Sequence, residues 1–166
     1  QGVDTERFDR HRVATGATSL RLRFGIAEHA CVFGYVGRFA IDKGMGELAA
    51  AWPVVSEVAP HAHLLLIGNE DGRQNAHENL AALRDLPRVH VLPWQDDMVT
   101  VYRAMDVMVL PSYREGLPNV LLEAGAMELA SVTARVTGCT DVVDDDQNGI
   151  LVPPRNVEAL ASGMIR

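Results

Sequence analysis

Short apolar runs that end in glycine or proline alternate along this chain with stretches of helical periodicity. The apolar runs cover 30–37, 63–67, 89–92, 106–111 and 149–152, with a weaker one around Val132. Helix-like patterns cover 44–58, 75–85, 98–105, 119–130 and the segment from Asn156 onward. This alternation predicts an α/β domain built on a Rossmann-like parallel sheet with helices on both faces.

Three of the predicted strands stop at Gly37, Gly68 and Pro111, residues that end or bend a strand. The carboxyl ends of parallel strands share one edge of a sheet, and ligands bind at that edge in open α/β folds. We therefore expect the functional side chains to lie in the loops that follow these residues.

The loop after the 106–111 run leads into a helix that begins near Pro118 and that carries carboxylates around its start. Glu115 precedes the helix, and Glu123 is the one charged residue of the apolar stretch 119–127. A carboxylate among apolar residues needs a partner. The free N–H groups of Leu117, Asn119 and Val120 would favour an anion at the helix start. Together these features predict a phosphorylated, hydroxyl-rich ligand.

Two cations accompany the first predicted strand. Arg38 follows Gly37, and Lys43 immediately precedes the first long helix. A guanidinium and an ammonium at the ligand edge would suit a diphosphate, because charge-assisted hydrogen bonds to phosphate are short and strong. The alternative for each is a solvated surface cation, and the anion site at the helix start favours the diphosphate.

Bulk properties limit the function classes. The 166 residues are 48% hydrophobic with a formal net charge of −7, which fits one globular domain and argues against general nucleic-acid binding. No run reaches the length of a membrane span, and two unpatterned cysteines favour a reducing compartment. We expect a cytoplasmic domain, with residues 1–29 as a linker with one helical turn and residues 30–166 as the ligand-binding domain.

Several other motifs compete with this interpretation. The segment 44–49 has the GxGxxA form of a dinucleotide fingerprint with Glu70 as its acid, although six residues separate Gly37 from Gly44. The acidic segment 144–149 resembles a calcium loop, but its twelfth position is Arg155 rather than a bidentate acid. His61 and His63 have no third ligand in sight, so we interpret them as structural. No metal site is predicted.

The combined residues resemble a known family. Gly37-Arg38 with Lys43-Gly44, the segment 106–112, the pair Glu115 and Glu123, and the segment 148–154 are similar to retaining glycosyltransferases of the GT-B fold, group 1 family. Residues 2–8 resemble the interdomain hinge of those enzymes. The resemblance implies the C-terminal, donor-binding half of a two-domain enzyme whose acceptor-binding N-terminal half is absent from this chain.

The resemblance also implies roles for individual residues. Arg38 and Lys43 would hold the donor diphosphate beside Gly37 and stabilise the leaving group, and Glu115 would contact the transferred sugar. Backbone groups around Val91–Trp94 would read the base, and Glu123 would bond the ribose hydroxyls. The residues expected beside the phosphates and the sugar at the helix start are Asn119, Val120 and Leu121.

The implied activity is transfer of a sugar from a nucleotide-sugar to a saccharide or lipid-linked acceptor, with retention, without a metal and without a cofactor. Polysaccharide or glycoconjugate synthesis is the expected setting, with location at the inner face of the membrane as an option. The isolated chain is expected to bind the donor without efficient turnover. A non-catalytic nucleotide-binding module and an NAD-binding Rossmann domain remain open as alternatives.

The chain departs from the family pattern after the Glu123 helix. Glu128-Leu-Ala130 stands where the family has glycine, another residue and proline. Paired glycines of the next loop appear as Thr137-Gly138, and the family's Pro-Glu appears as Thr140-Asp141. A residue in place of a left-handed glycine cap costs about 1 kcal/mol.

Overall fold

The strands of the computed structural model lie where the apolar runs predict them. The structure describes residues 2–11, 16–70, 72 and 74–166. The strands are β1 (Val32–Val36), β2 (His63–Ile67), β3 (Val89–Leu92), β4 (Val107–Leu110), β5 (Ala130–Ala134) and β6 (Gly149–Val152). The helices are α1 (Gly16–Arg23), α2 (Met45–Val58), α3 (Gln74–Arg84), α4 (Met98–Arg103), α5 (Asn119–Ala126) and α6 (Val157–Ile165).

These strands form one sheet in the order β3-β2-β1-β4-β5-β6, with every neighbouring pair parallel. Helix α2 packs against α3 and α6, whereas α1 packs against α4. The chain runs outward in both directions from the centre of the sheet, an arrangement that places helices on both faces. The predicted fold class is confirmed, and the strand order reverses between β1 and β4.

The central strands are buried because helices cover both faces of the sheet. Every residue of β1 is buried, as are the last four of β2. The largest fully buried side chains include Trp52, Tyr35 and Tyr102. Across the described residues, no helix is both long and apolar enough to cross a membrane.

Backbone contacts bring the predicted strand ends together at one edge. A Cβ on Gly68 would lie 1.8 Å from the carbonyl oxygen of Gly37, and one on Gly44 would lie 2.2 Å from that of Pro111. Gly44 also has a left-handed backbone, with φ of 72°. These positions require glycine, and the contacts confirm that the loops after β1, β2 and β4 meet.

Three element boundaries differ from the sequence prediction. Helix α5 ends at Ala126 rather than at residue 130, since a left-handed residue, Glu128 with φ of 59°, stops it before β5. Pro118 is the N-cap of α5 rather than a residue of its first turn. Cys31 lies just before β1 and is exposed.

Residues 1–29, which we expect to be a linker with one helical turn, include the eight-residue helix α1. Residues 12–15 of that segment and Gln1 lie outside the described residues. Arg21 fastens α1 to the domain: its guanidinium donates to the carbonyl oxygens of Ala104, Glu28 and Ala30 and, at 2.7 Å, to Asp106. A tertiary contact, rather than a local sequence pattern, thus holds this helix.

Candidate functional site

A cavity of about 380 Å³ lies where the strand order reverses, at the carboxyl ends of the central strands. Several of the residues that line it are ones that the sequence analysis predicts to bind a ligand. The lining residues are Tyr35, Val36, Gly37, Arg38, Lys43, Asn69, Trp94, Leu110, Glu115, Leu117, Pro118, Asn119 and Val120. Six of the eight predicted site residues are therefore brought together: Gly37, Arg38, Lys43, Glu115, Asn119 and Val120.

A larger cavity of about 760 Å³ lies at the opposite edge of the sheet, beside the starts of β5 and β6. Of the predicted site residues it contains only Leu121. We place the candidate site in the smaller cavity, because both predicted cations and the amino end of α5 face it.

Lys43 and Glu115 form an ion pair within the smaller cavity. The Lys43 Nζ lies 2.7 Å from Glu115 Oε1, and the two side chains are only 18% and 12% exposed. Lys43 ends a short 3-10 turn, Ile41–Lys43, which stops at the left-handed Gly44. Glu115 comes from the loop between β4 and α5. Lys43 and Glu115, both predicted site residues, thus come from different loops and neutralise each other's charge.

A hydrogen bond from Tyr35 fixes the loop that carries Arg38. The Tyr35 hydroxyl donates to the Arg38 carbonyl oxygen at 2.6 Å. Burial, followed by the negative charge of Glu115, raises the pKa of Tyr35 well above its usual range. The phenol therefore stays protonated, and it holds the Gly37–Arg38 turn as a donor.

The amino end of α5 supplies backbone donors to the cavity. The N–H groups of Leu121 and Leu122 both donate to the Pro118 carbonyl oxygen, at 3.0 and 3.4 Å. Asn119 and Val120 precede them, and the N–H groups at the start of a helix have no intrahelical acceptor. These two residues line the cavity, where such groups and the helix dipole favour an anion.

Leu121 and Glu123 lie apart from the cavity lining. Leu121 is 1% exposed, and its N–H is already bonded. Glu123 lies one helical turn beyond Asn119 and accepts a 2.8 Å hydrogen bond from the Tyr102 hydroxyl. The partner that the sequence analysis required for this carboxylate is thus a tyrosine.

The sequence analysis missed Tyr35 and Asn69, which line the cavity, and it named Trp94 only for its backbone, whereas this residue also lines the cavity. Trp94 is 50% exposed, and its backbone N–H approaches the Asn69 side-chain oxygen at 3.5 Å. The signal was available, because Asn69 and Trp94 each lie two residues after the end of a strand, β2 and β3 respectively.

The loop that departs from the family pattern rests on the backbone of the Glu115 loop. Gly138 has φ of 84°, and a Cβ there would lie 1.8 Å from the Gly116 carbonyl oxygen. Beside it, Cys139 is fully buried and accepts from the Thr133 hydroxyl at 3.2 Å. The chain keeps glycine at the one position of this loop where the contact demands it.

The competing motifs have structural roles. Glu70 lies outside the cavity lining and pairs with His77 at 2.9 Å. Asp145 pairs with Arg135 and accepts from the Leu151 N–H, so the acidic segment forms a turn that leads into β6. His63 hydrogen-bonds His90 at 2.9 Å. Among the described residues, no group of three or more His, Cys, Asp or Glu side chains could hold a metal ion.

Comparison with known families agrees with this geometry. A family model described as glycosyl transferases group 1 matches residues 30–166. The chain belongs to that family. The match covers the whole sheet and both sides of the candidate site.

Two glycosyltransferase relatives are identical to this chain at about a third of the aligned positions. The capsular polysaccharide biosynthesis glycosyltransferase CapM of Staphylococcus aureus is 34% identical over 131 residues, which are 78% of this chain and 34% of CapM. A D-inositol 3-phosphate glycosyltransferase of Saccharomonospora viridis is 33% identical over 178 aligned positions, covering 99% of this chain and 40% of the relative. The chain thus spans well under half the length of these relatives.

Solved glycosyltransferase structures have the same fold. Anabaena HepE, solved in complex with UDP-glucose, superposes with a TM-score of 0.84 at 24% identity, over 98% of this chain and 45% of HepE. The C-terminal domain of the group 1 protein LpcC from Francisella tularensis superposes with a TM-score of 0.77 at 25% identity. That comparison covers 97% of this chain and 85% of the LpcC domain. The Rossmann-like half of the GT-B fold is confirmed.

Proposed function

We propose that this chain is the donor-binding domain of a retaining, metal-independent hexosyltransferase that uses a nucleotide diphosphate sugar. One observation carries the proposal: Arg38, Lys43, Glu115 and the amino end of α5 line a single cavity at the point where the strand order reverses. Cations, helix N–H groups and a carboxylate are the groups that a diphosphate sugar requires.

The division of labour follows from the positions of these groups. Arg38 and Lys43 would bind the diphosphate, and the N–H groups of Asn119 and Val120 would add fixed dipoles. Together they would stabilise the charge that develops on the leaving diphosphate, which is the electrostatic role that a metal ion has in other transferases. Glu115 would exchange its bond to Lys43 for hydroxyls of the transferred sugar.

The base would lie against the face of Trp94, at the end of β3. This indole is half exposed and lines the same cavity as the cations. An aromatic face offers a base a stacking surface, which is worth about 1–3 kcal/mol per base in other nucleotide-binding sites. Glu123, one turn into α5, would then bond the ribose hydroxyls.

The wider setting follows from the relatives. CapM and a lipopolysaccharide core biosynthesis glycosyltransferase of Rhizobium meliloti are both named for polysaccharide synthesis. We propose a saccharide or lipid-linked acceptor, held mainly by an N-terminal domain, and reaction on the cytoplasmic side of the membrane. The chain by itself would bind the donor without efficient turnover.

Calorimetric titration with UDP, GDP, ADP and NADH tests the donor site. We expect one nucleoside diphosphate to bind, and Arg38→Ala and Glu123→Ala each to weaken it by about tenfold or more, as for loss of a charge-assisted hydrogen bond. Arg84→Ala removes an exposed arginine of α3 and serves as the matched control. Preference for NADH would instead support the dinucleotide alternative, and binding that ignores both substitutions would contradict the proposed site.

A non-catalytic nucleotide-binding module is the second candidate. The observation that favours it is the altered loop, since Gly138 lies directly on the backbone of Glu115 and Gly116. Sugar transfer by this domain joined to an acceptor domain, abolished by Glu115→Ala, would eliminate this candidate. Donor binding with no transfer would favour it.

A further inference from the structure

A buried tyrosine holds the carboxylate of α5. Tyr102, on α4, is fully buried, and its hydroxyl donates to Glu123 Oε2 at 2.8 Å. Glu123 does not line the cavity itself, but it lies four residues after Asn119 on α5 and therefore on the same helix face, one turn beyond the lining. The tyrosine engages only one of the two carboxylate oxygens.

The N-terminal segment packs behind this tyrosine. Phe8 is 6% exposed, and its ring meets the Tyr102 ring edge-on at a centroid distance of 5.9 Å. The Asp4 side chain accepts from the N–H groups of Glu6 and Arg7, and the Phe8 N–H donates to the Asp4 carbonyl oxygen at 2.9 Å. This tight turn fixes Phe8, and with it the back of the Tyr102 ring.

We infer that Tyr102 is a positioning residue that orients the Glu123 carboxylate toward the ribose, with Phe8 fixing the tyrosine from behind. The inference rests on the proposed function, because it takes Glu123 as the ribose ligand. A carboxylate that meets two neighbouring hydroxyls must keep its plane fixed, and a single hydrogen bond to one oxygen removes that rotation.

The direction of the hydrogen bond is chemically fixed. Burial of Tyr102, followed by the charge of Glu123 and the hydrogen bond itself, raises the pKa of the phenol far above its usual range. The phenol is therefore always the donor, and the carboxylate accepts. The second carboxylate oxygen of Glu123 has no part in this hydrogen bond, and a ribose hydroxyl requires such an acceptor.

The test compares ribose recognition with and without the tyrosine hydroxyl. UDP, GDP and ADP are titrated calorimetrically, each beside its 2′,3′-dideoxy counterpart, into the wild-type chain and Tyr102→Phe. We expect Tyr102→Phe to weaken the preferred diphosphate by about tenfold and its dideoxy counterpart by less than about twofold. Phe8→Leu should produce the same selective loss to a smaller extent.

Two comparisons separate positioning from general damage. Tyr113→Phe is the matched control: it removes another tyrosine–glutamate hydrogen bond, of 2.7 Å to Glu47, and should leave the ratio of the two affinities unchanged. In a Glu123→Gln background, Tyr102→Phe should have little further effect, since residues that act through one another are not additive.

Each outcome decides a separate point. If the wild type binds none of the diphosphates, or binds them no better than their dideoxy counterparts, the proposed ribose role of Glu123 fails, and this inference fails with it. If the wild type prefers the ribose hydroxyls and Tyr102→Phe keeps that preference, only the positioning role is overturned. A selective loss in Tyr102→Phe that disappears in the Glu123→Gln background supports it.

Discussion

Glu128 has a backbone conformation that glycine adopts without penalty. The Leu129 N–H bonds the Ala124 carbonyl oxygen, and the Glu128 N–H bonds that of Gly125, which is the hydrogen-bond pattern of a Schellman cap. The family resemblance had already indicated a glycine at this position, and φ of 59° for Glu128 gives the physical reason. In contrast, the hydrogen bond between Tyr102 and Glu123 joins residues that lie 21 positions apart on two different helices. No local sequence pattern indicates it.

Glu128→Gly should therefore stabilise the domain. Relief of the left-handed strain and removal of a negative charge from a helix C-terminus favour the folded state by about 1 kcal/mol, less the exposed contact with His11. Urea unfolding followed by circular dichroism measures the change. Glu158→Gly, inside the first turn of α6, is a control that should destabilise. A Glu128→Gly variant that is less stable than the wild type would contradict the inference that the left-handed backbone of Glu128 is strained.

At the scale of elements, a boundary is predicted well where glycine or proline ends the strand or helix. The bounds of β2, β3 and β6 coincide with the predicted runs, because each run is closed by residues that break a strand. The end of α5 was missed, since apolar residues continue through Leu129 into β5 and periodicity alone does not separate a buried helix from a buried strand. The left-handed backbone of Glu128, with φ of 59°, separates helix α5 from strand β5.

The contact between β2 and β3 predicts a pH dependence. Burial and the neighbouring His63 lower the pKa of His90 to about 4, and burial also lowers that of His63. Because the folded values lie below the unfolded value of about 6.5, stability is fully present above pH 6.5 and declines as the pH falls toward 4. The urea midpoint should therefore drop between pH 7 and pH 5.

The double variant His63→Gln/His90→Gln should reduce that drop in the urea midpoint. His61→Gln, which lies outside the pair, should leave it in place. An equal drop in the double variant and the wild type would show that other groups produce the acid sensitivity.

For the whole molecule, the segment before residue 30 belongs physically to the domain. Phe8 is buried, and the Arg103 guanidinium donates to the carbonyl oxygens of Asp9 and Arg10. Arg21 makes three further hydrogen bonds across the same junction, to Ala30, Ala104 and Asp106. The sequence could not predict this docking, because guanidiniums that bond carbonyl oxygens in distant loops leave no periodic pattern.

Arg21→Met should lower the free energy of unfolding by about 2 kcal/mol, because it leaves Asp106 without its cation and three carbonyl oxygens without a donor. Arg23→Met, at an exposed position two residues along α1, should change it by less than about 0.5 kcal/mol. Urea unfolding at neutral pH distinguishes them. Equal values for the two variants would mean that α1 contributes little to the stability of the domain.

The ion pair between Lys43 and Glu115 affects whether the domain needs a bound ligand in order to fold. A largely buried ammonium without a counterion would be costly, and a site built in that way would need its ligand in order to fold. Here the chain supplies the counterion itself, at 2.7 Å. The fold of this loop pair therefore does not depend on a ligand, and any ligand that binds the folded domain would add stability by mass action.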